Sequence, residues 1–373
     1  MAVMLQDHLK PLTSLRFFAA LWVVLYTYIH DLEGAIHIGL LDKGYLGVEG
    51  FFILSGFILA YVYLESFGAR KFDYATFINH RLARIYPLHI ATLLLTLVLV
   101  GVAALKGVKL DDHVADWASL PAHLTLTQAW GLAPSAAFNH PSWSISAEWF
   151  AYLCFPAVAF AAWFLRKRPI LAVSLACLVL TALYIVFDAI AGFPLTEATF
   201  QWGALRIVPC FLLGSALYLA WRAGAVARPW IATTGAALAS LTVVIASSFA
   251  RSDVVIVIAL GLLVLSFAGL GRDRHGHETG ILSSRLLVYL GEISFAIYMI
   301  YVPWKWLWLK AVNALLGTDH MPLPFFWWLA GLLALIPLAM LGHHLIERPF
   351  RRTLRNWGDV LRHKFAYRLA KQS

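Results

Sequence analysis

Residues 45–64 read Tyr45-Leu46-Gly47-Val48-Glu49-Gly50-Phe51-Phe52-Ile53-Leu54-Ser55-Gly56-Phe57-Ile58-Leu59-Ala60-Tyr61-Val62-Tyr63-Leu64. The run holds a single carboxylate and is long enough, at roughly 20 residues, to cross about 30 Å of hydrocarbon as a helix. Its apolar residues are continuous. A membrane barrel strand would alternate instead, in segments about half as long. In lipid every backbone polar group must be satisfied within the segment, so this stretch is a spanning α-helix.

The same reading applies along the whole chain. Ten apolar runs of comparable length fall near 12–30, 45–64, 85–105, 148–165, 169–188, 203–221, 229–248, 253–270, 285–309 and 325–346. With 61% hydrophobic and 13% charged residues and a mean hydropathy of +0.75, the 373 residues have too little polar surface to cover a soluble globule. The expected fold is all-α, a polytopic membrane bundle of about ten transmembrane helices.

Charge orients it. With the N-terminus placed in the cytoplasm, 21 of the 29 lysines and arginines fall in inner loops and tails. Five, Lys43, Lys106, Lys109, Arg251 and Lys310, fall outside, and Arg16, Arg206 and Lys305 lie within spans. A bias of this size places both termini in the cytoplasm. The net charge of +9 and pI near 9.5 then need no nucleic-acid partner. They follow from the positive-inside bias and from a basic tail, Arg348 to Lys371, attracted to anionic lipid head groups, with residues 353–373 lying beyond the membrane domain. The first run carries Arg16 near its start and is long enough to stay as an anchor rather than a cleaved signal. Cys154, Cys177 and Cys210 all fall in spans with no metal-ligand spacing, so neither a disulfide framework nor a metal site is expected. The longest connection, residues 106–147, is expected outside, folded over the mouth of the bundle.

Polar residues within spans need a partner or a task. Arg16 and Thr27 are eleven residues apart, about 1,100 degrees of helical rotation, hence on one face and about 16 Å apart along the axis. Arg16 either aligns a charge with that deeper group or snorkels to the cytoplasmic head groups. His30 lies a further turn on. Ser55 and Gly56 allow close approach of another helix, and Glu49 stands near the outer end of its span. Arg81 and Arg84, just before the third span, share a helical face and make a fork suited to phosphate oxygens. In Asn139-His140-Pro141-Ser142-Trp143-Ser144-Ile145-Ser146-Ala147-Glu148-Trp149, Ser146 reads as an N-cap. Trp143 can stack on a sugar ring while Ser144 and Glu148 face a cavity. His343 and His344 point about 100 degrees apart with no third ligand. Pro349 is expected to bend or stop the last helix, with Glu347 paired to a cytoplasmic arginine.

Four of these stretches together resemble the membrane acyltransferase-3 family: Leu15-Arg16-Phe17-Phe18, Gly47-Val48-Glu49-Gly50 through Ser55-Gly56-Phe57, Arg81-Leu82-Ala83-Arg84-Ile85-Tyr86-Pro87, and the Trp143-Ser144 step with Glu148. The resemblance runs over about residues 11–352 and implies an integral membrane domain at 1–352 that moves acyl groups onto hydroxyls. It implies that acyl-coenzyme A is the donor substrate, gripped by Arg81 and Arg84 with Arg16, Ser55 and Gly56 alongside. Glu49, Trp143, Ser144 and Tyr301 would meet a carbohydrate or lipid-linked glycan acceptor, and acetyl is the expected group. No permanently bound cofactor is implied. A bacterial inner membrane is the expected location.

The chain departs from the family pattern at two positions. Eleven residues after Arg16 the family carries a histidine thought to act as general base, and here Thr27 stands. Its hydroxyl holds its proton too tightly for that work, whereas a histidine exchanges protons near neutral pH. Tyr301, within Leu290-Gly291-Glu292-Ile293-Ser294-Phe295-Ala296-Ile297-Tyr298-Met299-Ile300-Tyr301, also replaces a common histidine. His30, His140 and Glu148 remain as proton acceptors. The alternative reading is a family scaffold that has lost transfer chemistry and serves as a carrier or as a subunit of a surface-glycan assembly complex. A transporter would require paired carboxylates deep in the spans, which the sequence lacks.

Overall fold

The computed structural model describes residues 9–34, 37–107, 114–249, 252–270, 280–318 and 322–370, with side chains to residue 360. Its principal helices are α1 (Lys10–Ile29), α2 (Gly47–Gly68), α3 (Tyr74–Leu105), α4 (Ser142–Leu153), α5 (Phe155–Phe164), α6 (Pro169–Ala191), α7 (Gly203–Arg222), α8 (Pro229–Ser248), α9 (Asp253–Leu270), α10 (Arg285–Leu316), α11 (Phe325–Gly342) and α12 (Arg348–Ala370). Among the described residues nine helices are long and apolar enough to cross a membrane, or ten if α4 and α5, bent by 56° at their junction, make one span. The ten expected spans are thus accounted for, with the fourth broken rather than straight. The break follows from Pro156, which starts α5 with a ring that cannot continue the ladder of α4. His113, Lys109, Arg251, Arg272 and Arg274 lie outside the described residues.

Local chemistry sets the ends. Proline opens α1, α5, α6 and α8 in the first turn, where its missing N–H is no loss. Asp73 caps α3 by accepting from the Thr76 N–H at 3.1 Å. This cap starts α3 about eleven residues earlier than hydropathy suggests, so Arg81 and Arg84 are inside the helix and not before it, with Pro87 carried in its interior. At the other end of the chain, Pro349 does not stop the last helix. A π-turn over His343–Glu347 passes α11 into α12, and Pro349 sits in the first turn of α12, where it is tolerated.

Close helix contact locks the middle of the bundle. A Cβ on Gly56 would stand 2.1 Å from the Phe211 carbonyl oxygen, and one on Gly214 2.0 Å from that of Ile53. The two glycines let the α2 and α7 backbones touch, and Ser215 Oγ donates to the Gly56 carbonyl at 3.2 Å. The core is one large apolar cluster through the helices, beside a small second one of Leu93, Ala137 and Phe138. The described part of the expected outer loop, residues 114–141, folds onto it. Tyr86 donates to Leu124 O at 3.1 Å, His89 Nε2 meets His123 O at 2.8 Å, and Asn139 Nδ2 donates to Met299 O at 2.9 Å.

The basic tail is an ordered element of the bundle as far as side chains are described. Residues 348–360 of α12 lie along the first turns of α3. Asn79 Nδ2 donates to Arg355 O at 3.3 Å, Arg355 Nε donates to His80 Nε2 at 3.1 Å, and His80 faces Asp359 at 3.4 Å. Gly358 lets the two helices meet, since a Cβ there would overlap the Asn79 side chain.

Candidate active site

Ser144, Glu148 and Tyr152 recur every four residues and therefore line one face of α4. Ser144 Oγ donates to the Pro141 carbonyl at 3.1 Å in the first turn. Ser146 points the other way. It does not cap α4, which already starts at Ser142; its hydroxyl donates to Leu126 O at 2.7 Å and accepts from the Ala129 N–H at 3.0 Å, tying α4 to the outer loop.

Glu148 is the centre of the site. It accepts from Ser55 Oγ of α2 at 2.8 Å and from the Tyr152 hydroxyl one turn on. Tyr152 is fully buried, whereas Glu148 keeps partial exposure within the bundle. Arg81 sits among the Tyr63, Phe77 and Tyr152 rings, 5.6, 6.0 and 6.0 Å from their centroids, and donates to the Tyr63 hydroxyl at 3.3 Å. Its Nε is buried with no partner among the described residues. Arg16 is half-buried, and its charge lies within interaction range of Arg84, Glu347, Glu148 and Tyr152. Glu347, in the π-turn, accepts from His343 Nδ1 at 2.9 Å and faces Arg351 at 3.6 Å.

A second polar group lies toward the outer ends of α2 and α7. Glu49 is wholly buried, and both its oxygens are held by Arg206, at 2.5 and 3.0 Å. Arg206 also donates to Ala198 O at 2.8 Å and lies 4.6 Å over the Trp143 ring. Glu49 is therefore not free to meet an acceptor, as its position near a span end suggested, and one face of Trp143 is covered by a guanidinium. Gly56 likewise faces α7 as a packing position, while its neighbour Ser55 faces Glu148.

The remaining expected residues line a path of hydroxyls toward the outer end of α1. Tyr298 is a neighbour of Ser144 and Tyr301 a neighbour of Thr27, and the two phenol rings lie 5.9 Å apart. Thr27 Oγ1 donates to its own helix, at Val23 O, 3.1 Å away. Lys305 Nζ donates to Thr27 O at 3.3 Å and pairs with Asp31 at 2.8 Å. His30 is exposed, edge-on to Tyr26 at 5.9 Å. His140 stands at the loop surface beside Phe200, at 5.6 Å. It keeps an accessible edge, yet the protein packed around it and the Arg206 charge push its pKa below the ordinary histidine value. Neither histidine joins the Glu148 cluster. His343 and His344 diverge, the latter bonding the Tyr289 hydroxyl at 2.9 Å, and no group of three metal-ligating side chains occurs among the described residues.

Sequence reasoning missed Tyr152, Tyr63, Arg206 and Arg351. Tyr152 carried a signal, being one helical turn from Glu148. So did Arg206, since a cation within a span requires a partner. Tyr63 and Arg351 carried none.

The family's acyltransferase domain matches residues 11–344. The chain belongs to the acyltransferase-3 family. It is 34% identical over 325 residues to the acyltransferase MdmB of Streptomyces mycarofaciens, covering 79% of this chain and 78% of that protein. It is 23% identical over 370 residues to the O-acetyltransferase OatA of Staphylococcus aureus (strain NCTC 8325 / PS 47), covering 92% of this chain but only 57% of OatA. No solved structure matches the chain. In this family member Arg16, Arg81, Arg84 and Glu148 lie around one another.

Proposed function

We propose that the chain is an integral membrane O-acyltransferase that moves an acyl group, acetyl by preference, from acyl-coenzyme A to a hydroxyl of a carbohydrate or lipid-linked glycan. The observation that carries this is Glu148: a carboxylate inside the bundle, oriented by Ser55 and Tyr152, still accessible, and surrounded by arginines.

In this reading the arginines draw the donor's phosphates in from the cytoplasmic side, and the thioester lies along the face of α4. The acceptor hydroxyl attacks the thioester carbonyl carbon and its proton passes to Glu148. The tetrahedral oxyanion is stabilised by the surrounding guanidinium groups. The C–S bond then breaks, the carbonyl re-forms as an ester, and the departing thiolate takes the proton from Glu148. Ser55 and Tyr152 fix the carboxylate so that little reorganisation accompanies the transfer. Similarity to the acyltransferase MdmB supports acyl transfer, and similarity to the O-acetyltransferase OatA supports oxygen as the acceptor atom. An inner membrane with both termini in the cytoplasm fits the distribution of loop cations.

The test is label transfer from radiolabelled acetyl-coenzyme A to a panel of glycan acceptors by the purified chain in nanodiscs, alongside Glu148→Gln. Transfer by the unaltered chain that disappears in Glu148→Gln supports the reading. Coenzyme A binding without transfer to any acceptor, with or without Thr27→His, favours the carrier alternative.

A further inference from the structure

The charge around Glu148 does not balance. Arg16 of α1, Arg81 and Arg84 of α3 and Arg351 of α12 converge on one region, where the facing carboxylates are Glu148 and Glu347. Arg84 is the hub, within interaction range of Arg16, Arg351 and Tyr152. Arg351 is fixed to Glu347 at 3.6 Å, and Glu347 already accepts from His343. Neither Arg16 nor Arg84 has a carboxylate within ion-pair distance among the described residues, and Arg81 Nε is buried without a partner. Four permanent cations and two carboxylates leave two positive charges in excess within a helical bundle. All four side chains keep part of their surface accessible, so an anion entering there meets this excess of positive charge directly. Planar guanidinium groups from separate elements are the arrangement that grips phosphate from several sides.

We infer that Arg351, on the C-terminal helix beyond the acyltransferase domain, completes a phosphate-binding site with Arg16, Arg81 and Arg84, so that α12 forms one wall of the donor pocket. The α12–α3 docking through Asn79, His80, Arg355 and Gly358 holds that wall beside Arg81 and Arg84. The π-turn turns Glu347 back toward Arg16 and sets Arg351 one turn beyond it. The ligand class is a phosphorylated thioester. This inference rests on the acyl-coenzyme A reading above and adds to it a residue of the basic tail.

The experiment compares the full chain and Arg351→Gln, reconstituted in nanodiscs of purely zwitterionic lipid and in nanodiscs containing anionic lipid. Two donors are used: acetyl-coenzyme A and the acetyl thioester of N-acetylcysteamine, which carries no phosphate. Arg351→Gln is expected to weaken coenzyme A binding and raise KM for acetyl-coenzyme A about tenfold in both lipids, leaving kcat and the rate with the phosphate-free thioester unchanged. Arg351→Lys, which keeps the charge, recovers part of the loss and guards against a merely misfolded variant. Equal coenzyme A binding by the chain and Arg351→Gln overturns the site while leaving the transferase reading intact. An effect confined to anionic nanodiscs assigns Arg351 to lipid head groups and also overturns it. If the unaltered chain binds no coenzyme A, both readings fall together.

Discussion

Thr27 and Tyr301 are neighbours across α1 and α10, where the Thr27 hydroxyl donates to Val23 O at 3.1 Å and the Tyr28 hydroxyl donates to Tyr301 O at 3.0 Å. The resemblance to the acyltransferase-3 family implies histidines at these two positions, and the structure places the two residues side by side. A hydroxyl pair can orient an acceptor but cannot take its proton. The base must then sit elsewhere, and Glu148 is the carboxylate the hydroxyl path leads to. Thr27→Ala is accordingly expected to keep transfer within about tenfold of the unaltered rate, the scale of one lost hydrogen bond. Kinetics at saturating donor will check this, and abolished transfer would return the base to the outer end of α1.

Glu148→Gln keeps an acceptor for Ser55 and Tyr152 and so keeps the fold, but removes the proton acceptor. The expected loss in kcat is about a hundred- to ten-thousandfold, with an unchanged melting temperature in detergent. Tyr152→Phe, which removes one hydrogen bond to the same carboxylate, should cost far less.

The buried Glu49–Arg206 pair gives the opposite pattern. Glu49→Ala leaves the Arg206 guanidinium without its carboxylate, at a cost of about 3–5 kcal/mol. Replacing both, as Glu49→Gln with Arg206→Met, removes the stranded charge and should recover part of that stability. Thermal unfolding of the three variants in one detergent decides it; equal destabilisation by single and double changes would contradict the pairing.

Ser55 and Gly56 are adjacent yet predict different outcomes. Gly56→Ala places a methyl group against the Phe211 carbonyl and should destabilise by about 1–3 kcal/mol, as overpacking does. Ser55→Ala should lower transfer with little change in stability. Parallel melting and activity measurements separate the two.

His123 is wholly buried in the outer segment, and burial, followed by the neighbouring His89, lowers its pKa to about 3. An unfolded histidine titrates near 6.5. Between those values the unfolded segment binds a proton that the folded one refuses, so stability falls as pH drops from about 6.5 toward 3. Limited proteolysis of the outer segment should therefore accelerate with acid, and His123→Phe should flatten that dependence.

The helical bundle was legible because hydropathy acts over contiguous residues, and each run in the sequence became a helix. Helix ends were less so. α3 starts at the Asp73 cap, in a polar stretch that hydropathy passes over, and the bend between α4 and α5 depends on Pro156 within an otherwise uniform apolar run. The site was half legible. Glu148, Ser55, Arg16 and Arg84 were singled out and lie together, but Glu49 was taken for an acceptor contact because its partner Arg206 lies 157 positions away. Arg351 was read as one more tail cation. Nothing in its local sequence says that a π-turn carries it back toward α3.

The outer segment is held partly through its backbone and partly through the side chains of Gln128, Trp130 and Asn139. Tyr86, His89 and Ser146 of the bundle grip the carbonyls of Leu124, His123 and Leu126, groups that every amino acid possesses. Its exposed side chains can therefore be exchanged while its course over the helices stays the same. A surface of this kind can be rewritten over that short stretch, with the Glu148 cluster beneath left untouched.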